Sequence, residues 1–285
     1  MSKLRIVQVS DTHLSRSHAY FQDNWDAFVD CMAKERPDYV FVTGDLSLNG
    51  PKEPDDLAFA REQMDRLPVP WRAIPGNHDI GDTPPDPRLK GPITKARRAA
   101  WRKHFGDDFW TLDLGDWRFI GLNAQLMESD LPGEDQQMKM LTDALADADS
   151  RPVAILIHKP LYQVDPEEKG RSLSALFPRS RKKLIALCAR HRVKLVACGH
   201  RHFYRSTRHG TTRLVWAPAS SFIDGTKSND GVRLTRRVGY IRYGFNGSDF
   251  RHELVEPPMF INHDMRNWMA LKGSTTKLPP RPLNG

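Results

Sequence analysis

Short apolar runs recur along the chain, each closed by a polar or turn-forming residue. "LRIVQVS" (4–10), "DYVFVTG" (38–44), "VPWRAIPG" (69–76), "PVAILIH" (152–158) and "VKLVACG" (193–199) are rich in β-branched residues and too short for helices. They predict strands. Between them the apolar period lengthens. Trp25, Phe28, Val29 and Met32 fall on one face of a helix predicted over 24–35. "PDDLAFAREQMDRL" opens on Pro54 and two acids, a favourable first helical turn. Residues 134–148 and 179–191 show the same helical spacing. Strands alternating with helices predict an α/β domain with a largely parallel central sheet.

Two regions break the alternation. Residues 109–124 read as a β-hairpin turning at Gly115-Asp116, and residues 239–256 as a second turning at Asn246-Gly247. Strands so late in the chain imply a second sheet packed on the first. "GDTPPDPRLKGP" (81–92) is too proline-rich for either regular element. A short helix is expected over 261–271, followed by the polar tail 272–285. No internal repeat or linker divides the chain.

Composition adds bounds. The 285 residues suffice for one large core, and no apolar run approaches the roughly 20 residues of a membrane-spanning helix. "MSKLRIVQVSDTH" lacks the apolar stretch of a secretory signal, so a cytoplasmic location is the default expectation. Three cysteines without a C-x-x-C pair read as buried free thiols. A net charge of +8 favours anionic partners, though its basic clusters at 95–103, 179–183 and 233–237 read as solvated faces.

The candidate chemistry lies where each strand ends. The first closes on Asp11 and His13, the second on Asp45, and the third on Asn77-His78-Asp79. The fourth closes on His158 and the fifth on His200-Arg201-His202. Open α/β sheets bind ligands at that edge. Two aspartates, an amide and four imidazoles form a mixed oxygen and nitrogen donor set. Such a set suits two divalent or trivalent ions of Fe, Mn, Zn or Co better than Mg²⁺. A pair of ions needs a bridging carboxylate, and Asp45, following Gly44, is the natural bridge.

The order "DTH", "GD", "GNHD", "H", "GHRH" resembles the calcineurin-like metallophosphoesterase superfamily over residues 4 to about 222. The wording is most similar to its bacterial cyclic-nucleotide phosphodiesterase and glycerophosphodiesterase group. The resemblance implies a four-layer αββα sandwich of two packed mixed sheets, formed by residues 1–258. Residues 259–285 are then a tail, either mobile or lying on a neighbouring subunit of a homo-oligomer. It also implies one ion on Asp11, His13, Asp45 and His202, and a second on Asp45, Asn77, His158 and His200. Hydroxide held between the ions would attack phosphorus, with His78 giving a proton or hydrogen bond to an ester oxygen. Asp79 either orients His78 or caps the following turn.

The expected activity is hydrolysis of a small phosphodiester, with cyclic nucleotides among the candidates. Phosphomonoesterase or nucleotide pyrophosphatase activity is the alternative; nuclease and non-catalytic scaffold rank lower. Aromatics do not interleave with the basic runs, which disfavours nucleic acid as a partner, and no membrane partner is expected. The family often carries "HHPP" where this chain has "HKPL". Lys159 therefore either offers a cation to phosphate or faces solvent. Arg201 either points at phosphate or braces its own loop. Residues 81–104, 163–174 and the tail are the expected substrate-selecting walls.

Overall fold

The computed structural model describes residues 3–84, 91–224, 234–267 and 279–283. β1 (Lys3–Val9) shows how each central strand is used. Its alternate residues Val7 and Val9 pack against Trp25, Phe28 and Met32 of α1 (Gln22–Glu35). Ile6 points the other way, toward a different sheet. A strand apolar on both faces must be covered twice, and that requirement builds the layers.

The first sheet has the order β12-β11-β1-β2-β3, with β2 (Tyr39–Thr43), β3 (Trp71–Ile74), β11 (Tyr240–Asn246) and β12 (Asp249–Val255). β1, β2 and β3 run parallel, while β11 lies antiparallel on β1. The second sheet has the order β4-β5-β6-β7-β9-β8. Its strands are β4 (Trp110–Leu114), β5 (Trp117–Leu122), β6 (Val153–Ile157), β7 (Leu195–Cys198), β8 (Arg205–His209) and β9 (Thr212–Trp216). β5, β6, β7 and β9 are parallel, and β4 and β8 close the edges antiparallel. The largely parallel central sheet and the second sheet expected from the sequence are thus two mixed sheets, as the resemblance implies.

Between the sheets lies an apolar layer in which Ile6, Phe41, Ile74 and Tyr243 meet Phe119, Ala154, Leu156 and Leu195. Helices cover the outer faces. α1, α2 (Pro54–Met64) and α4 (Lys95–Phe105) pack on the first sheet. α5 (Gly133–Ala146) and α6 (Pro178–Arg190) pack on the second. The whole is an αββα sandwich.

Several sequence expectations shift in detail. The first hairpin turns at Gly115-Asp116 as expected, but the second pairs Asn246 with Asp249 and turns at Gly247-Ser248. The hairpin of β8 and β9 carries no strong apolar alternation and escaped the sequence reading. The stretch 81–104 is not irregular throughout. Residues 95–105 form α4, capped by the Thr94 hydroxyl and anchored by buried Trp101. Its basic cluster is not simply solvated either, because Arg98 is buried. The helix expected from 261 begins only at 265, because β13 (His263–Asp264) first pairs with β10 (Phe222–Ile223); residues 268–271 lie outside the described region.

Of the tail, residues 279–283 lie against the chain's own loop after β1. Ala19 N donates to Arg281 O, Arg281 N to Ser17 O and Leu283 N to Arg16 O. Cys188 and Cys198 are buried and Cys31 is half-buried, all three free. Burial pushes the Cys188 thiol up to about 12. Among the described residues no helix is long and apolar enough to cross a membrane.

Candidate metal centre

The parallel strands of both sheets end at one rim. β1, β2 and β3 deliver Asp11, His13, Asp45 and Asn77 from the first sheet. β6 and β7 deliver His158, His200 and His202 from the second. The chain leaves these strands by abrupt turns. Asp11, His13, Asp45, His200 and His202 all have positive φ, between 47° and 69°. That left-handed conformation costs a non-glycine residue about 1–3 kcal/mol and persists only where surrounding structure enforces it. Its repetition at five candidate ligands marks this rim as the place where fold stability yields to positioning.

The donors converge in overlapping groups. Asp11, His13 and His202 form one, His13, Asp45 and His78 a second, and Asp45, His158 and His200 a third. Asp45 Oδ2 lies 3.9 Å from His13 Nε2 and 3.3 Å from His158 Nε2. His202 Nε2 is 3.3 Å from both Asp11 Oδ1 and His13 Nε2. His200 Nδ1 is 3.1 Å from His158 Nε2.

Backbone carbonyls fix three of the rings. His158 Nδ1 donates to Thr43 O at 2.7 Å, His202 Nδ1 to Phe222 O at 3.0 Å, and His200 Nε2 to Leu173 O at 2.9 Å. Each bond orients its ring and turns the other ring nitrogen toward the cluster. Carboxylates and imidazole nitrogens so close together call for a cation between them, either a proton, as on His158, or a metal ion. Asn77 Oδ1 is buried with no hydrogen-bond donor, as an amide ligand to a metal would be. The electrostatics agree. Burial by itself raises the Asp45 pKa, but His158, His78 and His13 hold it well below the usual carboxylate range. Burial lowers that of His158, yet Asp45 and Asp11 bring it up to about 9. The donor set fits metal ions.

His78 is the second residue of the four-residue helix α3 (Asn77–Ile80) and is half-buried. Its backbone N donates to Asp45 Oδ1 at 2.7 Å, and its Nδ1 donates to Leu48 O at 2.7 Å. Asp79 does not hold that ring. Its carboxylate accepts from Ser47 N, Ser47 Oγ and Gly76 N, each at 2.8 Å, so it ties the Asp45 turn to the Asn77 turn.

Lys159 neither faces solvent nor offers a spare charge. It is 1% exposed and its ammonium is paired with buried Asp82. Desolvation explains the difference: a lysine beside a buried histidine must find a carboxylate or lose its proton. Arg201 is buried too, its guanidinium 5.7 Å from the centre of the Phe203 ring.

Sequence reasoning missed Phe222. Its carbonyl orients His202, and its ring stacks 4.3 Å from His202 and 5.1 Å from His13. No residue pattern announces a carbonyl that accepts from a ring, so neither Leu173 nor Leu48 was legible. The close packing of the turns is also tested by glycines. A Cβ on Gly199 would stand 1.9 Å from Ser10 Oγ and 2.5 Å from Asp11 Oδ2. Gly199→Ala is expected to lower metal affinity about tenfold, a typical cost of disturbing the support of a ligand. Equilibrium dialysis would show it, and unchanged affinity would mean that the turn yields.

Solved structures share this architecture. Purple acid phosphatase PPD1 from yellow lupin superposes with a TM-score of 0.63 at 17% identity, covering 100% of this chain and 57% of that one. A dimetal phosphatase from Danio rerio gives 0.60 at 13% identity, covering 89% and 97%. At such identities the likeness establishes the fold. The model of the family described as calcineurin-like phosphoesterase matches residues 4–204, and the chain belongs to that family.

Among curated relatives, glycerophosphodiester phosphodiesterase GpdQ of Enterobacter lignolyticus is 27% identical over 247 residues, covering 75% of this chain and 77% of its own. A probable GpdQ of Arcobacter nitrofigilis is 27% identical, covering 57% and 59%. The human serine/threonine-protein phosphatase CPPED1 is 29% identical, covering 59% and 54%. The chain thus spans from about half to three quarters of these relatives' lengths.

Proposed function

We propose that this protein is a two-metal phosphodiesterase acting on small phosphodiesters. The observation that carries the reading is the placement of Asp45, whose Oδ2 lies between His13 on one side and His158 on the other. A carboxylate so placed can be shared by two ions. Asp11, His13, Asp45 and His202 would hold one, and Asp45, Asn77, His158 and His200 the other. When bound, Fe, Mn, Zn or Co ions would supply Lewis-acid chemistry, neutralising phosphoryl charge and acidifying water.

The chain's own residues do the rest. Asp45 stays ionised because three imidazoles surround it, so it keeps its charge for cations at neutral pH. His78 spends Nδ1 on Leu48 O. Its Nε2 is then the atom that holds or gives a proton to a non-bridging or leaving oxygen. Because its backbone N is bonded to Asp45, this imidazole moves with the shared carboxylate.

Two relatives named as glycerophosphodiester phosphodiesterases support the diester reading. A relative named as a serine/threonine-protein phosphatase supports a second reading, hydrolysis of monoesters. Purified protein loaded with Mn²⁺ and offered bis(p-nitrophenyl) phosphate and p-nitrophenyl phosphate separates them. Faster turnover of the diester is expected; a monoester preference would reverse the assignment. The two histidines of "GHRH" should also separate. His200→Ala and His202→Ala are each expected to reduce bound metal from about two ions to about one per chain. Metal analysis after desalting measures this, and loss of both ions from either variant would count against separate sites.

A further inference from the structure

Buried in the layer between the sheets is a polar side chain that the mechanism does not use. Gln8 on β1 is 1% exposed and shares the inward face of its strand with apolar Ile6. Its amide is fully engaged. Nε2 donates to Thr43 Oγ1 at 2.9 Å and to Cys198 O at 3.1 Å, and Oε1 accepts from Tyr243 Oη at 2.8 Å. Thr43 and Tyr243 belong to β2 and β11 of the first sheet, and Cys198 ends β7 of the second. One amide therefore joins the two sheets near the rim, while Trp110 Nε1 to Ala73 O and Trp117 Nε1 to Gly247 O join them elsewhere in the layer.

Its position matters more than its strength. Both of its donor bonds end two residues before candidate ligands. Thr43 precedes Gly44 and Asp45, and the Thr43 carbonyl orients His158. Cys198 precedes Gly199 and His200, and Gly199 N donates to His158 O. Two residues along β1, Ser10 Oγ also donates to Thr43 O, at 3.1 Å. Asp11, His13, Asp45 and Asn77 come from one sheet and His158, His200 and His202 from the other. Their separation across the site is thus a separation between sheets. Apolar burial is non-directional, whereas hydrogen bonds to three partners fix both distance and angle. A buried amide whose donors and acceptor are all matched specifies one arrangement.

We infer that Gln8, clamped by Thr43 and Tyr243, is a positioning residue that sets the spacing of the two sheets' ligands and so allows two ions to share Asp45. The inference rests on the two-ion reading above. It assigns to the inter-sheet core a part in metal binding that the ligands alone do not reveal.

The test uses the full chain and Mn²⁺ as probe. Thr43→Val removes the hydroxyl that receives the Gln8 amide, nearly preserves shape, and keeps the carbonyl that orients His158. Thr43→Ser restores a hydroxyl and is the conservative rescue. Gln8→Leu is the stronger variant. For Thr43→Val, affinity for the second Mn²⁺ is expected to fall about 10–100-fold, the usual range for supporting residues. The electron paramagnetic resonance signature of two coupled ions should give way to that of isolated Mn²⁺. Thr43→Ser should recover both, and thermal unfolding of the metal-free forms should stay within a few degrees. If wild type binds two coupled ions and Thr43→Val and Gln8→Leu do the same with equal affinity, the inference is overturned alone. If Thr43→Val weakens both ions in parallel with a large loss of metal-free stability, its role is structural and the inference is likewise overturned. Wild-type protein that binds a single ion overturns the two-ion reading, and this inference with it.

Discussion

Asp45→Ala abolishes phosphoester hydrolysis to within about one part in 1,000 of wild type or below, the largest effect expected of any single substitution. Losing one preorganised electrostatic contact commonly costs 10²–10³-fold, and Asp45 supplies several. Its Oδ2 serves the imidazoles on both sides, while Oδ1 accepts the backbone N of His78 at 2.7 Å. Alanine removes the shared charge and releases α3 together. Asp45→Asn keeps an oxygen for His78 and loses the charge, so it should fall between the two. Steady-state rates with Mn²⁺ at saturating concentration, beside bound-metal analysis, check both variants. Wild-type turnover in Asp45→Ala would remove the basis for metal-dependent hydrolysis at this rim.

Asp108→Ala is expected to destabilise the fold by about 3–5 kcal/mol, the usual cost of leaving one partner of a buried ion pair uncompensated. Asp108 is 0% exposed and lies in the loop between α4 and β4. It accepts Nε and a terminal nitrogen of Arg98 at 2.8 and 3.0 Å, Arg102 Nε at 2.8 Å and Asn123 Nδ2 at 2.8 Å. Asn123 in turn gives its backbone N to Gln137 of α5 at 2.7 Å, so the cluster links helices on opposite outer faces. In a chain of this size the loss should lower the melting temperature by about 10 °C.

Burial alone raises the Asp108 pKa, but Arg98, Asn123 and Arg102 bring it below the ordinary carboxylate value. A depressed native pKa contributes stability that is fully present above the unfolded value of about 3.9. That contribution is lost as pH falls from there through the native pKa. Wild type should therefore lose more stability than Asp108→Asn as pH is lowered from about 5 to about 2, the range that spans the unfolded value and the depressed native one. Chemical denaturation at the two pH values provides the comparison.

The candidate ligands were legible because each stands at the polar end of a short apolar run, and strand ends on one edge share a location. Strand period and helix period were clear at β1, β2, α1 and α6 because those elements bury nearly continuous apolar faces. β8 was not legible, since its largely half-buried "RSTRH" lacks alternation and is recruited by pairing with β9. Lys159 read as a solvent or substrate cation because nothing local announces Asp82, seventy-seven residues earlier, as its partner.

By itself, then, the sequence determined the chemistry available: which strands exist, and that Asp11, His13, Asp45, Asn77, His158, His200 and His202 stand at their ends. Periodicity and turn chemistry are local, so neighbouring residues suffice to express them. Only the tertiary structure decided how those donors are divided, four from one sheet and three from the other. It also decided which ring nitrogens face inward, because Thr43, Leu173 and Phe222 orient His158, His200 and His202 through carbonyls that every residue possesses. A backbone carbonyl has no signature in the sequence; it becomes specific only when the fold brings an imidazole to it.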